Sequence, residues 1–472
     1  MNFNWIVTKT EWQEKEGKWK VNLKNTKTDE VKIEECDILL GAHGLLNRWK
    51  WPSDIKNLSK FKGKLVHTAR WPDNYGPKEW ENDRVVIIGS GASSVQTVPT
   101  MQPHTKKMDI FIRTPIWFTT IAGNSGDNFE YTEEQKHTFR TNHDELIKTA
   151  RKIEGELNGG LMLKSFMTNS VESQMAKELY TTRMREHIPD DKLFKALLPT
   201  FTPGCRRITP GNPYMAAVQK DNVDVHTCAV VEATEDGIIG ADGVEVKCDT
   251  VVCATGFDVS YVPPFEMVGR NGVSLQQKWS KVPEGYLGLA VPDMPNYFTF
   301  IGPTWPVENG SVMGPLEQVS KYVIQIINKM QVEKIHSLEP KHDVTALFND
   351  HAQAWVNGTC WEEDCRSWYK NNETGRVNAV WPGSSLHYNK TIETPRYEDF
   401  NIKYSNEKNM WAYLGLGFIP NQVEEGGDLA PYINKDELEP SFFDFRFDPK
   451  EEEELIKARG SKVYGGAANQ FQ

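Results

Sequence analysis

This chain of 472 residues lacks several signals that would assign it to a specialised class of protein. Its seven cysteines form neither a CxxC pair nor a regular ladder, which argues against a disulfide scaffold and predicts reduced thiols. No metal site is expected either. No apolar run approaches the roughly 20 residues that a membrane span requires, and the chain does not start with a basic and then apolar leader. We therefore expect a soluble, cytoplasmic protein.

Positive charge is scarce as well, because 54 Lys and Arg residues against 65 Asp and Glu residues give a formal net charge of -11. This balance argues against a broad nucleic-acid-binding surface. Tryptophan, in contrast, is abundant, with 15 residues, several of them next to proline. Such rings can wall a cleft, although core packing is the simpler explanation for any one of them. A chain of this length predicts about two or three domains.

Two stretches of the chain repeat one pattern, in which a β-meander is followed by an apolar strand that ends at glycine. Residues 5–44 contain the first copy and residues 223–257 contain the second. Strands of this kind end where a Rossmann-type sheet meets its ligand, so we expect two nucleotide-binding units of similar plan. Between them, residues 132–198 have helical periodicity and long charged runs, which predicts an inserted helical subdomain.

A glycine turn follows a strongly apolar strand at residues 84–88. Gly89, Gly91 and Ser94 occupy the small positions of a GxGxxG-like turn, which opens a helix and presents backbone N–H groups to a pyrophosphate. A tight strand-to-helix turn without a ligand is the alternative. After the next strand comes Arg113 rather than a carboxylate, and this favours the 2′-phosphate of NADP over NAD. A solvated surface arginine is the alternative for Arg113.

A pattern of spaced residues precedes the glycine turn: Phe61, Gly63, His67, Trp71 and Pro72. It resembles the fingerprint of Baeyer–Villiger monooxygenases, the enzymes that use FAD and NADPH to insert oxygen next to a ketone. The resemblance extends over residues 1–420 and, towards its end, is to fungal members of secondary metabolism. It implies an α/β flavoprotein with two dinucleotide-binding domains, which are Rossmann-like, with a parallel sheet, β-meanders and a helical insertion.

The same resemblance implies roles for individual residues. Those implied for NADPH binding, at the pyrophosphate and the 2′-phosphate, are Gly89, Gly91, Ser94, Arg113, Thr114 and Arg206. Arg207 aligns with the active-site arginine, whose permanent charge offsets the anion that develops during the reaction. An exposed basic pair in a loop is the alternative for residues 206–207. His67 is expected to have a structural role in the segment that links the domains.

The chain departs from the family pattern in one respect. Members carry a first GxGxxG near the N-terminus that binds the FAD pyrophosphate, and no such turn is found here. Gly415 and Gly417 begin a similar series, but Pro420 stands at the third small position and precludes the turn. The FAD domain is therefore expected to be incomplete. The chain is then a fragment of an ordinary monooxygenase, a natural short form without FAD, or the partner of a separately encoded FAD-binding half.

These observations predict four regions: residues 1–60, a remnant of the FAD-binding domain; 61–258, the NADP-binding domain; 259–450, the rest of the FAD and substrate domain; and 451–472, a mobile tail. The predicted function is oxygen insertion next to a small-molecule ketone by an FAD- and NADPH-dependent monooxygenase, with no nucleic-acid partner. One alternative is a non-catalytic NADPH-binding or interaction protein. The other is an N- or S-oxygenating flavin monooxygenase, which Trp71 speaks against.

Overall fold

The structure, a computed structural model, describes residues 2–120, 130–308 and 310–433, together with Glu454 and Lys457. It divides the chain into two units, Met1–Met410 and Trp411–Gln472. The strands, numbered in chain order, are β1 (Trp5–Gln13), β2 (Lys18–Asn25), β3 (Val31–Cys36), β4 (Leu39–Gly41), β5 (Lys64–His67), β6 (Arg84–Ile88), β7 (Lys107–Phe111), β8 (Val223–His226), β9 (Val230–Ala233), β10 (Gly237–Gly240), β11 (Glu245–Lys247), β12 (Thr250–Cys253), β13 (Glu266–Val268), β14 (Tyr297–Thr299), β15 (Ile335–Pro340) and β16 (Phe400–Tyr404).

The α-helices are α1 (Pro77–Trp80), α2 (Ala92–Met101), α3 (Glu133–Thr141), α4 (His143–Leu157), α5 (Gly160–Ser165), α6 (Val171–His187), α7 (Asp191–Leu197), α8 (Asn212–Ala217), α9 (Leu275–Lys278), α10 (Met313–Glu333), α11 (His342–Val356), α12 (Ser385–Thr391) and α13 (Pro420–Val423). Short 3-10 helices span Leu58–Lys60, Arg270–Gly272, Cys360–Glu362, Tyr397–Asp399 and Met410–Leu414. None of the helices in the described part of the chain is long and apolar enough to cross a bilayer.

The first unit is built around a parallel sheet of five strands in the order β5-β12-β6-β7-β8. Alternate residues of β6 contribute to two separate cores: Val85 and Ile87 belong to the larger, Val86 and Ile88 to the smaller. A strand that is buried on both faces has a continuous run of apolar residues, and this run is why β6 could be predicted from the sequence. The sheet also has strands at residues 223–226 and 250–253, both within the second copy of the pattern predicted at residues 223–257.

Two antiparallel meanders belong to the same unit, as the alternating patterns predicted. Strands β1, β2 and β3 form a four-stranded sheet with β13, which pairs parallel to β1. Strands β9, β10 and β11 form a three-stranded sheet. In the first meander Trp12 and Trp19 are cross-strand partners whose rings meet edge to face at 5.7 Å. Such aromatic pairs stabilise an antiparallel sheet through side-chain contact.

A second parallel arrangement is the pair of β4 and β14, in which Leu40 is the partner of Phe298. Among the described residues this pair has no further strand. Phe298 is 1% exposed, whereas Leu40 is 44% exposed. The apolar strand predicted at residues 36–44 is shorter in the structure, at Leu39–Gly41. A ladder with one neighbour supplies hydrogen bonds along one edge only, so less of the segment is held in strand conformation.

The helical insertion predicted at residues 132–198 comprises α3 to α7. Its helices begin at capping side chains: Thr132 Oγ1 accepts the Gln135 N–H at 3.2 Å, and Ser170 Oγ accepts the Ser173 N–H at 2.9 Å. Such caps satisfy N–H groups that have no partner within the helix. The predicted mobile tail at residues 451–472 lies outside the described residues, apart from Glu454 and Lys457.

Candidate functional site

The C-terminal end of the five-stranded sheet opens into a cleft of about 820 Å³, which we call the glycine-turn cleft. Its lining includes the turn after β6, the segment after β7 and the end of β12. Most of the residues predicted to bind the cofactor line it, and so does the predicted catalytic arginine. They are Gly89, Gly91, Arg113, Thr114, Arg206 and Arg207. Parallel strands place their carboxyl ends at one edge, which brings together residues far apart in sequence.

The two glycines of the turn have different structural roles. Gly89 has a φ of +124°, and an added Cβ would lie 2.4 Å from the carbonyl oxygen of Ala254. Only glycine fits there. Gly91 has no neighbouring atom within 4 Å of an added Cβ, and α2 starts directly after it without a side-chain cap. The N-terminus of α2 therefore offers open space and backbone N–H groups to an anion.

Ser94, the third small residue of the turn, is not part of the cleft lining. It is fully buried on α2, beside Tyr214 of α8. A small residue in this position permits α2 to pack closely against its neighbours. The predicted role of Ser94 at a pyrophosphate stays a prediction.

Two arginines bring positive charge to the segment after β7. Arg113 is half-exposed and forms an ion pair with Asp54, with 3.0 Å between Nη1 and Oδ2. Arg206 is part-buried, and its Nη1 donates to the carbonyl oxygens of Thr114 and Pro115 and to Ser90 Oγ at 3.3 Å. Burial, followed by repulsion from Arg113, lowers the Arg206 pKa to about 10, so the Arg206 side chain is cationic at neutral pH.

Arg207 lies in the same cleft in a different environment. Its Nη1 donates to the carbonyl oxygen of Val307 at 3.3 Å, and its charge lowers the pKa of the neighbouring Tyr369, while burial, the larger effect, raises it. It forms no ion pair with any residue that the structure describes. A guanidinium without a carboxylate partner can interact with an anion in the cleft without first breaking an ion pair.

The spaced pattern ahead of the glycine turn is packed into the body of the protein. Phe61 is buried, and an added Cβ on Gly63 would lie 2.5 Å from its ring and 2.4 Å from the Asp249 carbonyl oxygen. Trp71 Nε1 donates to the Tyr75 carbonyl oxygen at 2.7 Å. The Trp71 hydrogen bond lies in the segment between β5 and α1, which includes Pro72, and restrains its conformation.

His67 ends β5 and is 1% exposed. Its ring contacts Trp49 and Trp51, with centroids 5.0 and 5.7 Å away, and its Nδ1 accepts the Ala69 N–H at 3.1 Å. Burial lowers the His67 pKa, so the ring is neutral at pH 7. A neutral, enclosed ring fits the structural role predicted for it, which stays a prediction.

A disulfide joins Cys205, the residue before Arg206, to Cys365, with Cα atoms 6.3 Å apart. The prediction that all cysteines are reduced thiols is wrong for this pair, because partners separated by 160 residues form no local motif. Cys365 precedes a segment that lines the glycine-turn cleft through Arg366, Ser367 and Trp368. The bond therefore connects the arginine-bearing loop to a second wall of the cleft.

The residues of this second wall were predicted only as part of residues 259–450, the rest of the FAD and substrate domain. Lys370 also lines the cleft, and its Nζ donates to the carbonyl oxygens of Trp361, at 3.3 Å, and Glu363. Burial lowers the Lys370 pKa. The run Ser367-Trp368-Tyr369-Lys370 combines rings with polar groups two residues after Cys365, and it is the signal from which this wall could have been recognised.

A second cleft of about 880 Å³, the α10 cleft, lies where β4 and β14 end and α10 begins. Its lining is mostly apolar and includes Ala42, Phe300, Ile301, Met313 and Leu316. No side chain caps α10 at Val312, and a helix N-terminus attracts negative charge. The lining also includes two carboxylates, Glu154 and Glu317, and its apolar part suits a flat, largely apolar group. No GxGxxG turn is found among the described residues of this cleft.

No protein-family model matches the chain. It is 52% identical over 451 residues to the FAD-binding monooxygenase moxY of Dothistroma septosporum, covering 94% of this chain and 71% of that protein. It is 50% identical over 449 residues to the FAD-binding monooxygenase stcW of Emericella nidulans, covering 94% and 74%. A Baeyer-Villiger monooxygenase of Streptomyces coelicolor is 29% identical over 404 residues, covering 84% and 73%.

Solved structures of similar fold are those of flavoprotein monooxygenases. Cyclohexanone monooxygenase from Rhodococcus sp. Phi1 bound to NADP+ has a TM-score of 0.70 at 22% identity, covering 85% of this chain and 80% of that one. OTEMO in complex with FAD and NADP has a TM-score of 0.71 at 22% identity, covering 85% and 81%. The fold predicted from the sequence, with two dinucleotide-binding domains, is thereby confirmed.

Proposed function

This chain belongs to the family of FAD-binding monooxygenases and is a flavin-dependent monooxygenase, and on that premise we propose that it inserts an oxygen atom next to a ketone with NADPH and molecular oxygen. The observation that carries the proposal is that Arg207, without an ion pair to a described residue, lines the same cleft as the glycine turn. A fixed cation beside a dinucleotide site suits a reaction in which an oxyanion develops.

NADPH would bind in the glycine-turn cleft. The open space at Gly91 and the N–H groups at the start of α2 suit its pyrophosphate. Arg113 and Arg206, with Thr114 between them in the lining, suit its 2′-phosphate. Because Arg113 is held by Asp54, it would exchange one anionic partner for another on binding.

FAD would bind in the α10 cleft, where the apolar lining suits its ring system. When bound, FAD supplies the redox chemistry that activates oxygen. Uptake of FAD is tested by adding it to the purified chain and recording the flavin absorbance of the protein fraction. Uptake supports the proposal. Absence of uptake, together with measurable NADPH binding and no NADPH oxidation, favours either a separately encoded FAD-binding half or the non-catalytic alternative.

The catalytic contribution proposed for the chain itself centres on Arg207. Its guanidinium stays protonated at any working pH, so it can offset negative charge on the reacting ketone oxygen without losing a proton. The side chain is exposed, and its guanidinium donates one hydrogen bond to the carbonyl oxygen of Val307. The substrate class we propose is a ketone intermediate of a secondary-metabolite pathway, and the location we propose is the cytoplasm.

Replacement of Arg207 tests the proposal. Arg207→Ala should lower ester or lactone formation from a panel of ketones by about 10²–10³-fold, the effect of removing one oxyanion donor. NADP+ affinity, measured by titration calorimetry, should stay close to that of the unchanged protein. Arg151→Ala, an exposed residue of α4, is the matched control and should alter neither quantity. A normal product yield from Arg207→Ala would remove this residue from the mechanism.

A further inference from the structure

The Arg206 guanidinium contacts the protein through its Nη1 and keeps its other nitrogens free. Nη1 donates to the carbonyl oxygens of Thr114 and Pro115 and to Ser90 Oγ, at 3.3 Å for Ser90. No residue that the structure describes accepts a hydrogen bond from Arg206 Nε or Nη2, or forms an ion pair with this side chain. Arg206 also lines the glycine-turn cleft. Because a guanidinium carries its N–H donors in a fixed fork, those on Nε and Nη2 remain available to an anion in the cleft.

Ser90 lies between the two glycines of the turn, and its hydroxyl takes part in two hydrogen bonds. Its Oγ donates to the Thr114 carbonyl oxygen at 2.6 Å and accepts from Arg206 Nη1. A hydroxyl has a single proton, so the bond to Thr114 leaves Ser90 as an acceptor towards Arg206. Arg206 Nη1 donates to the same Thr114 carbonyl oxygen, so the three groups form a closed set of contacts. Ser90 is 8% exposed, which limits the access of water to this set.

The parallel sheet brings these groups together. Ser90 follows β6 and Thr114 follows β7, and the two strands are neighbours in the sheet. Arg206 comes from the loop between α7 and α8, which is distant in sequence. The Ser90 hydroxyl thus connects the turn that would hold the pyrophosphate of NADPH to the arginine that would hold its 2′-phosphate.

The hydrogen-bond partners of Arg206 among the described residues are all uncharged. A carboxylate would hold the guanidinium more strongly, but it would also offset its charge, as Asp54 does for Arg113. Ser90 Oγ and the two carbonyl oxygens restrain the Arg206 side chain and leave its charge available. This arrangement suits the recognition of an added anion, and NADP differs from NAD by such an anion, the 2′-phosphate.

We propose that Ser90 is a positioning residue for Arg206 and thereby determines part of the preference for NADP over NAD. The inference rests on the proposed function, in which Arg206 binds the 2′-phosphate. It goes beyond that function because a hydroxyl in the glycine turn would otherwise be expected to contact the pyrophosphate, which NADP and NAD share. Loss of a pyrophosphate contact would weaken the binding of both dinucleotides equally. Loss of the Arg206 position would weaken the binding of NADP alone.

Titration calorimetry of the purified full-length chain with NADP+ and with NAD+ tests the proposal. Ser90→Ala should weaken NADP+ binding by about five- to tenfold, in keeping with the loss of one hydrogen bond to a charged group, and should leave NAD+ affinity within about twofold. Should Ser90→Ala not fold, Ser90→Cys replaces it and should have the same effect, because a thiol is a weak acceptor. Ser405→Ala, an exposed serine after β16, is the matched control and should alter neither affinity. An equal loss for both dinucleotides, or no loss for either, would overturn the proposal.

The second measurement asks whether Ser90 acts through Arg206. In Arg206→Ala the guanidinium is absent, so the addition of Ser90→Ala should weaken NADP+ binding by no more than about twofold further, since the two residues act as one unit. A full additional loss of about five- to tenfold would show that the effects of the two residues are independent. Ser90 would then act on the ligand by another route, and the proposal would be wrong.

The same variants separate this inference from the function on which it rests. If Arg206→Ala binds NADP+ as tightly as the unchanged protein, the proposed role of Arg206 at the 2′-phosphate fails, and the role of Ser90 fails with it. If Arg206→Ala loses NADP+ affinity while Ser90→Ala retains it, the proposed NADPH site stands and the role of Ser90 alone fails.

Discussion

The two parallel arrangements of this molecule are made from the same kind of strand, an apolar run that ends at glycine, yet they are buried to different degrees. Ile87 of the five-stranded sheet is 0% exposed, whereas Leu40 of the β4–β14 pair is 44% exposed. Apolar surface stabilises a fold only where it is removed from water, at about 25 cal/mol per Å². The comparison teaches that an apolar strand pattern identifies a strand but does not say how many neighbours it has.

The largest expected effect is on stability, and it tests whether the two strands are buried to different degrees. Ile87→Ala should lower the free energy of unfolding by about 2–5 kcal/mol, because it leaves a cavity in a packed core. Leu40→Ala, the matched change in the exposed strand, should cost well under about 1.5 kcal/mol, since water already reaches that side chain. Urea unfolding followed by circular dichroism measures both. Equal losses would mean that Leu40 is covered in solution, for instance by another chain, and would remove the contrast.

The next effect concerns the disulfide, which connects two walls of the glycine-turn cleft. Removing a disulfide that closes a long loop costs about 2–5 kcal/mol, so Cys205→Ala should lower the free energy of unfolding by an amount in this range. Cys36→Ala, a free thiol on β3, should have a smaller effect. Thiol titration of the unfolded, unreduced protein should find five reactive groups, one for each free cysteine. Seven reactive thiols would show that the bond does not form.

The smallest expected effect is on NADP+ binding, which should respond to a change in the glycine-turn cleft but not to one in the α10 cleft. Gly91→Ala should leave the fold intact, because nothing lies within 4 Å of the added Cβ, but should weaken NADP+ binding by about tenfold by narrowing the approach to the α2 N-terminus. Gly314→Ala, in the α10 cleft, meets its nearest atom at 3.6 Å and should leave NADP+ affinity unchanged. Titration calorimetry compares the two. Equal affinities would argue that the dinucleotide does not approach Gly91.

Local periodicity accounts for the parts of the fold that the sequence predicted correctly. The strand at residues 84–88 and the insertion at residues 132–198 depend on patterns within one segment, and both lie where expected. Sheet order depends on contacts between distant segments, and the sequence of β5 does not indicate that β12 is its neighbour. The same limit applies to the bond between Cys205 and Cys365, which has no local signature.

The site, too, could be predicted where it depends on local patterns and not where it depends on contacts between distant segments. The residues of the glycine turn and of the arginine pair were predicted because they stand close together in sequence and match a known pattern, and Gly89, Gly91, Arg206 and Arg207 line one cleft. Ser94 matched the pattern too, but its side chain is turned into the α2–α8 contact, and only the packing of the two helices reveals this. The wall that includes Trp368 and Lys370 was missed because it reaches the cleft through tertiary folding alone.

Arg206 and Arg113 would contribute to anion binding in different thermodynamic ways. The Arg206 guanidinium is already fixed by the carbonyl oxygens of Thr114 and Pro115, so the rotamer entropy of the side chain was lost when the protein folded. Arg113 is half-exposed and must leave Asp54, and it would lose its own freedom on binding, at about 0.5–1.5 kcal/mol for an immobilised side chain. Arg206 is thus preorganised for anion binding, whereas Arg113 must first leave Asp54. Dissolved salt screens exposed charges more than buried ones, so it would mainly weaken the part of the anion-binding free energy that Arg113 contributes.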